Sequence, residues 1–171
     1  MSRRPVVLIT GANGYLGRAL ASRLVKQPGV SLTLTDLALD GAPALHGGRV
    51  RAFEGDLGDA MLRRQAISPA PDIVYHLAGI TSRQAQADAQ ASLRVNVLHT
   101  LALLEDLRRS DAPPVVVYAS SIAVFGTPLP DSIDDRTPPS PTLTYGAHKQ
   151  MVEIALADFS RRGELDGRSV R

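Results

Sequence analysis

The chain has no cysteine and no tryptophan, and aromatic residues make up only 4% of its 171 residues. The absence of cysteine excludes disulfide bonds and thiolate metal sites, so redox chemistry requires a bound cofactor. A long hydrophobic run is also missing, because the apolar residues 6–9 are too few for a signal-peptide core or a membrane span. The 19 basic and 17 acidic residues nearly balance, and the basic ones are scattered rather than clustered. We therefore predict a cytoplasmic protein that binds neither nucleic acid nor a membrane.

Short apolar runs alternate along the chain with longer amphipathic segments, which is typical of an α/β fold with a parallel sheet. Hydrophobic residues make up 44% of the chain and charged residues 21%, as expected for a globular domain. The pattern predicts five strands and the opening of a sixth. They comprise residues 6–10, 31–35, 50–54, 73–76, 115–119 and 169–171. A single domain, residues 1–171, accounts for all of them.

Helices are expected between these strands. The first follows residues 11–17 and ends near Gln27, where a Pro-Gly pair provides a stop signal. A long helix before the fifth strand has apolar residues at helical spacing, at Leu93, Val97, Leu101 and Leu104. A last helix is predicted over 145–162. Segment 126–144 contains five prolines, so we expect neither helix nor central strand there.

Glycines at positions 11, 14 and 17 follow the first predicted strand and open the first helix. In that context small residues let the backbone approach a pyrophosphate, and the helix N-terminus favours its negative charge. We therefore predict a dinucleotide-binding loop. Its cofactor-binding residues are Gly11, Asn13, Gly14, Tyr15, Leu16 and Gly17. The alternative is an ordinary strand-to-helix turn in which the glycines serve only the backbone geometry.

Acidic residues follow the second and third strands. Asp36 lies where a carboxylate can accept hydrogen bonds from the hydroxyls of an adenosine ribose. A 2′-phosphate would meet that carboxylate, and Leu37 rather than an arginine comes next, so NAD is favoured over NADP. Asp56 and Leu57, just past the third strand, are candidates for contact with the adenine. Taken alone, each aspartate would more simply cap a turn.

The fourth strand ends with His76, Leu77, Ala78 and Gly79, at the edge where open α/β sheets bind ligands. The small residues leave room for a cofactor, and we predict that 77–79 contact it. His76 is expected to be a packed or capping histidine, because no second histidine or carboxylate lies at ligand spacing. No metal site is predicted.

Tyr145 and Lys149 lie four residues apart on the last predicted helix and therefore share one face. Lowering the pKa of a phenol from about 10 to near 7 requires about 4 kcal/mol. Two charges about 4 Å apart at an effective dielectric constant of 20 interact by about that much, so Lys149 and an oxidised nicotinamide can together suffice. Tyr145 is therefore a candidate general base, and Ser121 can face a bound substrate. The alternative is an exposed pair without a catalytic role.

Together these motifs resemble the extended short-chain dehydrogenase/reductase family, which includes NAD-dependent epimerases and dehydratases. The match runs in order over the whole chain and includes Asn96 on the long helix. The resemblance implies a Rossmann-type doubly wound parallel sheet with helices on both faces, and NAD as the cofactor. It implies that Ser121, Tyr145 and Lys149 are catalytic and that Asn96 helps to hold their geometry. Asn96, Tyr145 and Lys149 would also contact the cofactor.

Family members continue into a C-terminal substrate-binding portion. The chain is therefore expected to contain the cofactor-binding half and to end as its sixth strand begins, with an unpaired edge at the fifth strand. Members commonly form homodimers through two long helices, here around 93–104 and 151–156. A homodimer is the expected assembly.

Three stretches resemble the D-erythronate dehydrogenase group within this family, namely 121–126, 141–146 and 158–168. That implies NAD-dependent oxidation of a small sugar acid, D-erythronate to 2-oxo-D-erythronate. Phe125 stands where many epimerases have Tyr, and Ile122-Ala123 where dehydratases usually have Asp-Glu. A sugar-nucleotide epimerase similar to UDP-glucose 4-epimerase and a non-catalytic NAD-binding module stay open as alternatives. Arg83 is a candidate cation for the substrate carboxylate.

Overall fold

Six parallel strands form one sheet in the computed structural model, which describes residues 4–40, 49–110 and 112–171. The strands are β1 (Val6–Thr10), β2 (Ser31–Asp36), β3 (Val50–Glu54), β4 (Ile73–His76), β5 (Val115–Ala119) and β6 (Asp166–Val170). They lie side by side in the order β3-β2-β1-β4-β5-β6. The five complete strands predicted from the sequence are confirmed, and β6 begins three residues before the predicted position.

Helices cover both faces of this sheet, as expected. They are α1 (Tyr15–Leu24), α2 (Ala60–Ala66), α3 (Ser82–Ala87), α4 (Ala89–Ser92), α5 (Thr100–Leu107) and α6 (Thr144–Arg161). α1 ends three residues before Gln27, whereas α6 agrees with the prediction to within one residue at each end. A short 3-10 turn, Ile122–Phe125, follows β5 and was not predicted.

The long helix predicted around 93–104 is not one regular helix. Leu93–His99 form a π-helical segment between α4 and α5, whose wider turns contain an extra residue. Val97 and Leu104 of the apolar stripe are buried, but Leu93 is 41% exposed. The extra residue rotates Leu93 away from the core, and a periodicity of 3.6 residues does not reveal such a change.

Each face of the sheet has its own hydrophobic core. Leu8, Val74 and Val116 point to the face covered by α5 and α6. Val7 and Ile9 point to the opposite face, against α1. All five residues of the central strand β1 are buried. Both faces of the sheet are therefore covered, as is usual for a parallel sheet. The Rossmann-type doubly wound fold is thus confirmed.

Residues 126–143 contain neither helix nor strand, in agreement with their proline content. The segment doubles back on itself at Gly126, where a Cβ would lie only 2.4 Å from the carbonyl oxygen of Ser140. The amide of Ser140 donates a hydrogen bond of 2.8 Å to the carbonyl of Val124. This path brings the start of α6 against the residues that follow β5.

β6 pairs with β5 from Val115 opposite Asp166 to Ala119 opposite Val170. The expectation that β5 has an unpaired edge is therefore wrong, because a polar strand with few apolar residues covers it. Among the residues that the structure describes, no helix is long and apolar enough to cross a membrane.

Candidate active site

The carboxyl ends of β1, β2 and β4 meet at one edge of the sheet, where Thr10 lies opposite both Thr35 and His76. The strand order reverses at β1, and open α/β sheets bind ligands in the crevice at such a point. A cavity of about 370 Å³ opens there. The predicted residues that line it are Gly11, Asn13, Gly14, Asp36, Asp56, Leu57, Leu77, Ala78 and Gly79.

Two glycines of the loop after β1 allow very close backbone approach. Gly11 has a φ of +68°, and a Cβ on it would lie 2.6 Å from the backbone nitrogen of Ala78. A Cβ on Gly17 would lie 2.2 Å from the carbonyl oxygen of Gly11. Gly17 does not line the cavity, so its role is to let α1 pack beneath the loop.

Gly14 is the N-cap of α1, and it places the first turn of that helix at the cavity. The side chains of Tyr15 and Leu16 point to solvent, with 86% and 59% exposure. Neither residue is among those lining the cavity. The structure thus does not bring these two side chains into the cavity, and their cofactor contacts stay a prediction.

The carboxylate of Asp36 is held at the rim of the cavity. One oxygen accepts a hydrogen bond of 2.8 Å from the amide of Asn13, and the other accepts one of 2.7 Å from the amide of Leu37. Beside it, the buried hydroxyl of Thr35 makes no hydrogen bond with the rest of the described chain. An unsatisfied buried hydroxyl and a fixed carboxylate suit a ligand rich in hydroxyl groups.

Asp56 lies at the same cavity next to a residue that sequence reasoning missed. His99, in the π-helical segment, places its Nδ1 3.0 Å from Oδ1 of Asp56. The imidazole fills the space over Gly58, where a Cβ would lie 2.7 Å from the ring. His99 also lines the cavity, which it reaches from the last position of the π-helical segment.

His76 is a packed histidine, as predicted. Its Nδ1 lies 2.7 Å from the hydroxyl of Thr10, and its Nε2 lies 2.9 Å from the hydroxyl of Thr100. The Thr100 hydroxyl donates to the backbone carbonyl of Asn96, so it accepts from Nε2–H of His76. Burial, and secondarily Lys149, lowers the pKa of His76 to about 3. In the part of the chain that the structure describes, no three metal-ligating side chains cluster.

Asn96 joins the π-helical segment to the loop after β4. Its Oδ1 accepts a hydrogen bond of 2.9 Å from the amide of Ile80, and its Nδ2 donates to the Ile80 carbonyl at 3.3 Å. A Cβ on Gly79 would lie 2.8 Å from Oδ1 of Asn96 and 3.8 Å from Nζ of Lys149. Glycine at 79 therefore lets this loop, the long helix and α6 converge.

Lys149 is 5% exposed and reaches the end of β5 from α6. Its Nζ donates a hydrogen bond of 2.8 Å to the carbonyl of Ala119. The ammonium lies 4.7 Å from the ring centroid of Tyr118 and 5.6 Å from that of Tyr145. Burial lowers the pKa of Lys149 to about 8, and the negative charge of Glu153 partly opposes this shift.

The turn after β5 brings the segment that contains Ser121 against the start of α6, which contains Tyr145. The Ser121 hydroxyl accepts a hydrogen bond of 3.1 Å from the amide of Ala123. A Cβ on Gly146 would lie 2.2 Å from the carbonyl of Ala123, so α6 begins directly against this turn. Burial raises the pKa of Tyr145 above its ordinary value. The decrease anticipated from Lys149 is therefore absent from the protein itself.

An ionic cluster around the buried carboxylate of Glu153 was not predicted. Glu153, one turn after Lys149, accepts hydrogen bonds from the hydroxyl of Ser120 and from the guanidinium of Arg171. The Arg171 guanidinium also lies 5.0 Å from the ring centroid of Phe125. The cluster ties β5, β6 and α6 together. Arg83, in contrast, lies on α3 with an exposed side chain.

The cavity and its rim fit a dinucleotide. Glycines leave the loop backbone open to a pyrophosphate, and Asp36 with Thr35 provides partners for ribose hydroxyls. Asn96 and Lys149 lie at the other end, beside Gly79. Ser121, Asn96, Tyr145 and Lys149 do not line the cavity itself. They form a second group at its far end, around the ends of β4 and β5.

Comparison with known proteins agrees with this arrangement. The chain is 41% identical over 173 residues to D-erythronate dehydrogenase of Cupriavidus necator. The matched region covers 96% of this chain and 53% of that protein. The chain superposes with a TM-score of 0.88 and 37% identity on a nucleoside-diphosphate-sugar epimerase from Agrobacterium tumefaciens, covering 98% of this chain and 52% of that one. The UDP-glucose 4-epimerase of Thermus thermophilus, solved with NAD, gives a TM-score of 0.85 at 27% identity, covering 97% and 54%.

The chain thus spans about half the length of the curated relatives it matches. The model of one family, described as the NAD dependent epimerase/dehydratase family, matches residues 7–171. That match includes the glycine loop, Asp36, Asn96 and the Tyr145–Lys149 pair. The chain belongs to the NAD dependent epimerase/dehydratase family.

Proposed function

We propose that the protein is a cytoplasmic NAD-dependent dehydrogenase that oxidises a small sugar acid, D-erythronate, to 2-oxo-D-erythronate. The observation that carries this proposal is the buried ammonium of Lys149, placed between the rings of Tyr118 and Tyr145. Burying a cation is costly, and groups with strongly shifted pKa values cluster at functional sites. The similarity to D-erythronate dehydrogenase supports the choice of substrate.

NAD, when bound, supplies the hydride acceptor. Gly11 and Gly14 would admit the pyrophosphate, Asp36 would accept hydrogen bonds from the adenosine ribose, and Lys149 would bind the nicotinamide ribose. The Asp36 carboxylate would repel a 2′-phosphate, which favours NAD over NADP.

In the reaction Ser121 would hydrogen-bond the reacting hydroxyl, and Tyr145 would remove its proton. Because burial raises the pKa of Tyr145, the phenolate needs positive charge near it. Lys149 provides part of that charge, and the oxidised nicotinamide provides the rest. Asn96, whose side-chain amide hydrogen-bonds both the amide and the carbonyl of Ile80, would fix the loop after β4 beside Lys149.

The test is NADH formation, followed by its absorbance, when the protein is mixed with NAD and D-erythronate. Tyr145→Phe should reduce the rate by about 100-fold or more, because it removes the general base. Tyr75→Phe is the matched control, since it removes a phenol hydroxyl from β4, and it should keep the wild-type rate. Normal turnover by Tyr145→Phe would exclude this mechanism.

A sugar-nucleotide epimerase is the second candidate, because the solved structures that the chain resembles include UDP-glucose 4-epimerases. An epimerase oxidises and re-reduces its substrate, so it would interconvert UDP-sugars without net NADH. A non-catalytic NAD-binding module is the third candidate, because the cavity at the ends of β1, β2 and β4 could bind NAD without any catalytic step. NAD binding without turnover of D-erythronate or a UDP-sugar would favour that module.

A homodimer through the two long helices is part of this proposal. Leu98 of the π-helical segment is 53% exposed, and Met151 and Ile154 of α6 are 49% and 64% exposed. Large exposed apolar side chains on adjacent helices are typical of a subunit interface. Light scattering should give twice the chain mass, and Ile154→Asp should reduce it to one chain mass.

A further inference from the structure

His148 is a buried histidine between Tyr145 and Lys149 for which the mechanism above has no role. It is 8% exposed, and its Nδ1 lies 2.8 Å from the hydroxyl oxygen of Ser92. Ser92 is fully buried at the end of α4. This contact therefore joins the helix that contains Asn96 to the helix that contains the candidate general base.

The directions of the hydrogen bonds here follow from Asn96. The amide of Ile80 donates to Oδ1 of Asn96, which fixes the orientation of the side-chain amide. Its Nδ2 can then only donate, and it donates to Ser92 Oγ at 3.1 Å. The Ser92 hydroxyl keeps its own hydrogen, which it can donate to Nδ1 of His148. Burial lowers the pKa of His148 and so favours the neutral imidazole, one tautomer of which has an accepting Nδ1.

A continuous chain of hydrogen bonds thus runs from Ile80 through Asn96 and Ser92 to His148. Ile80 lines the cofactor cavity, and His148 is covalently adjacent to Lys149. A displacement of α6 along or around its axis would break the link between Ser92 and His148. Such a displacement would also move Lys149 relative to the carbonyl of Ala119.

We propose that Ser92 and His148 are positioning residues that hold Lys149 and Tyr145 in fixed relation to Asn96 and the nicotinamide end of the cofactor. The proposal rests on the proposed function, because it assumes that NAD binds with its nicotinamide at this end. The two residues act through the helix and touch neither substrate nor cofactor.

The test measures the dissociation constants of NADH and of AMP. AMP binding reports only on the part of the site that would hold the adenosine of the cofactor. Ser92→Ala and His148→Leu should each weaken NADH binding by about fivefold, as expected for one lost hydrogen bond, and leave AMP binding unchanged. The double variant should be no weaker than either single variant, because both remove the same interaction. His148→Asn places an amide oxygen near the position of Nδ1 and should bind NADH as the wild type does.

A control variant separates the positioning role from a general loss of stability. Ser160→Ala is the control, because it removes another serine hydroxyl that bonds α6 to its surroundings, at its far end. It should lower stability without weakening NADH binding.

The outcomes are distinguishable. A wild-type protein that binds neither NADH nor AMP would overturn the proposed function itself. NADH binding by the wild type together with unchanged NADH binding in Ser92→Ala and His148→Leu would overturn only the positioning role. Additive losses in the double variant, or an equal loss of AMP binding, would also overturn it.

Discussion

Replacing Lys149 with methionine should make the protein more stable at neutral pH. The pKa of Lys149 is lowered by burial from 10.5 to about 8. The folded protein therefore binds this proton less tightly than the unfolded chain does. Stability is reduced while the lysine is charged, below about pH 8, and it rises with pH between about 8 and 10.5.

The magnitude follows from the two values. At 1.36 kcal/mol for each pH unit, the difference between 10.5 and about 8 corresponds to about 3.4 kcal/mol of destabilisation at pH 7. Methionine loses the hydrogen bond to the Ala119 carbonyl, which is worth about 1 kcal/mol. We therefore expect Lys149→Met to raise the free energy of unfolding at pH 7 by about 2 kcal/mol.

Urea denaturation at pH 7 and pH 9 measures this effect. The wild type should gain about 1.3 kcal/mol from the Lys149 equilibrium between these pH values, and Lys149→Met should lack that gain. Lys26→Met is the matched control, since Lys26 is the only other lysine and is exposed. It should keep the wild-type pH dependence. Equal gains in the wild type and in Lys149→Met, or a less stable Lys149→Met at pH 7, would refute the reasoning.

Three further predictions concern the loop, the rim and the ionic cluster. Gly17→Ala should abolish NAD binding in calorimetry, because its Cβ would lie 2.2 Å from a backbone oxygen. Gly163→Ala is the control: its Cβ would meet nothing within 4 Å, so it should cost only about 1 kcal/mol of backbone strain and keep NAD binding. Asp36→Asn should weaken NAD binding by about tenfold and reduce the preference for NAD over NADP, as measured by competition binding. Glu153→Gln should lower the free energy of unfolding by about 1 kcal/mol in urea titrations at pH 7, since it replaces the charge-assisted hydrogen bonds to the partly exposed Arg171 guanidinium by weaker neutral ones.

The layered fold was predictable because its information is local. The buried strands β1 and β5 are short apolar runs bounded by turn residues, so periodicity alone indicates their positions. β6 was placed too late because Asp166–Val170 is polar, and only pairing with β5 makes it a strand. The π-helical segment was missed because hydrophobic periodicity does not distinguish it from an α-helix. Its geometry is accompanied by side-chain contacts that only the structure shows, such as the hydrogen bond from the Thr100 hydroxyl to the Asn96 carbonyl.

Candidate site residues were predictable where backbone geometry demands a residue type. Gly11 and Gly17 have that property, and Asp36 follows from its place at the end of β2. His99 and Glu153 were missed because their importance depends on which side chains the tertiary fold places beside them. The raised pKa of Tyr145 was missed for a similar reason, because a sequence shows which charges exist but not how deeply the phenol is buried.

The π-helical segment makes the site sensitive to chain length as well as to residue type. A π turn is an α-helix with one residue inserted, so deleting a single exposed residue such as Leu98 would restore a regular helix. The helical turns on either side would keep their orientation, because a π turn absorbs its extra residue locally. The residues within the segment, among them Asn96 and His99, would take other positions, so Asn96 would lose its hydrogen bonds to Ile80 although both residues are still encoded.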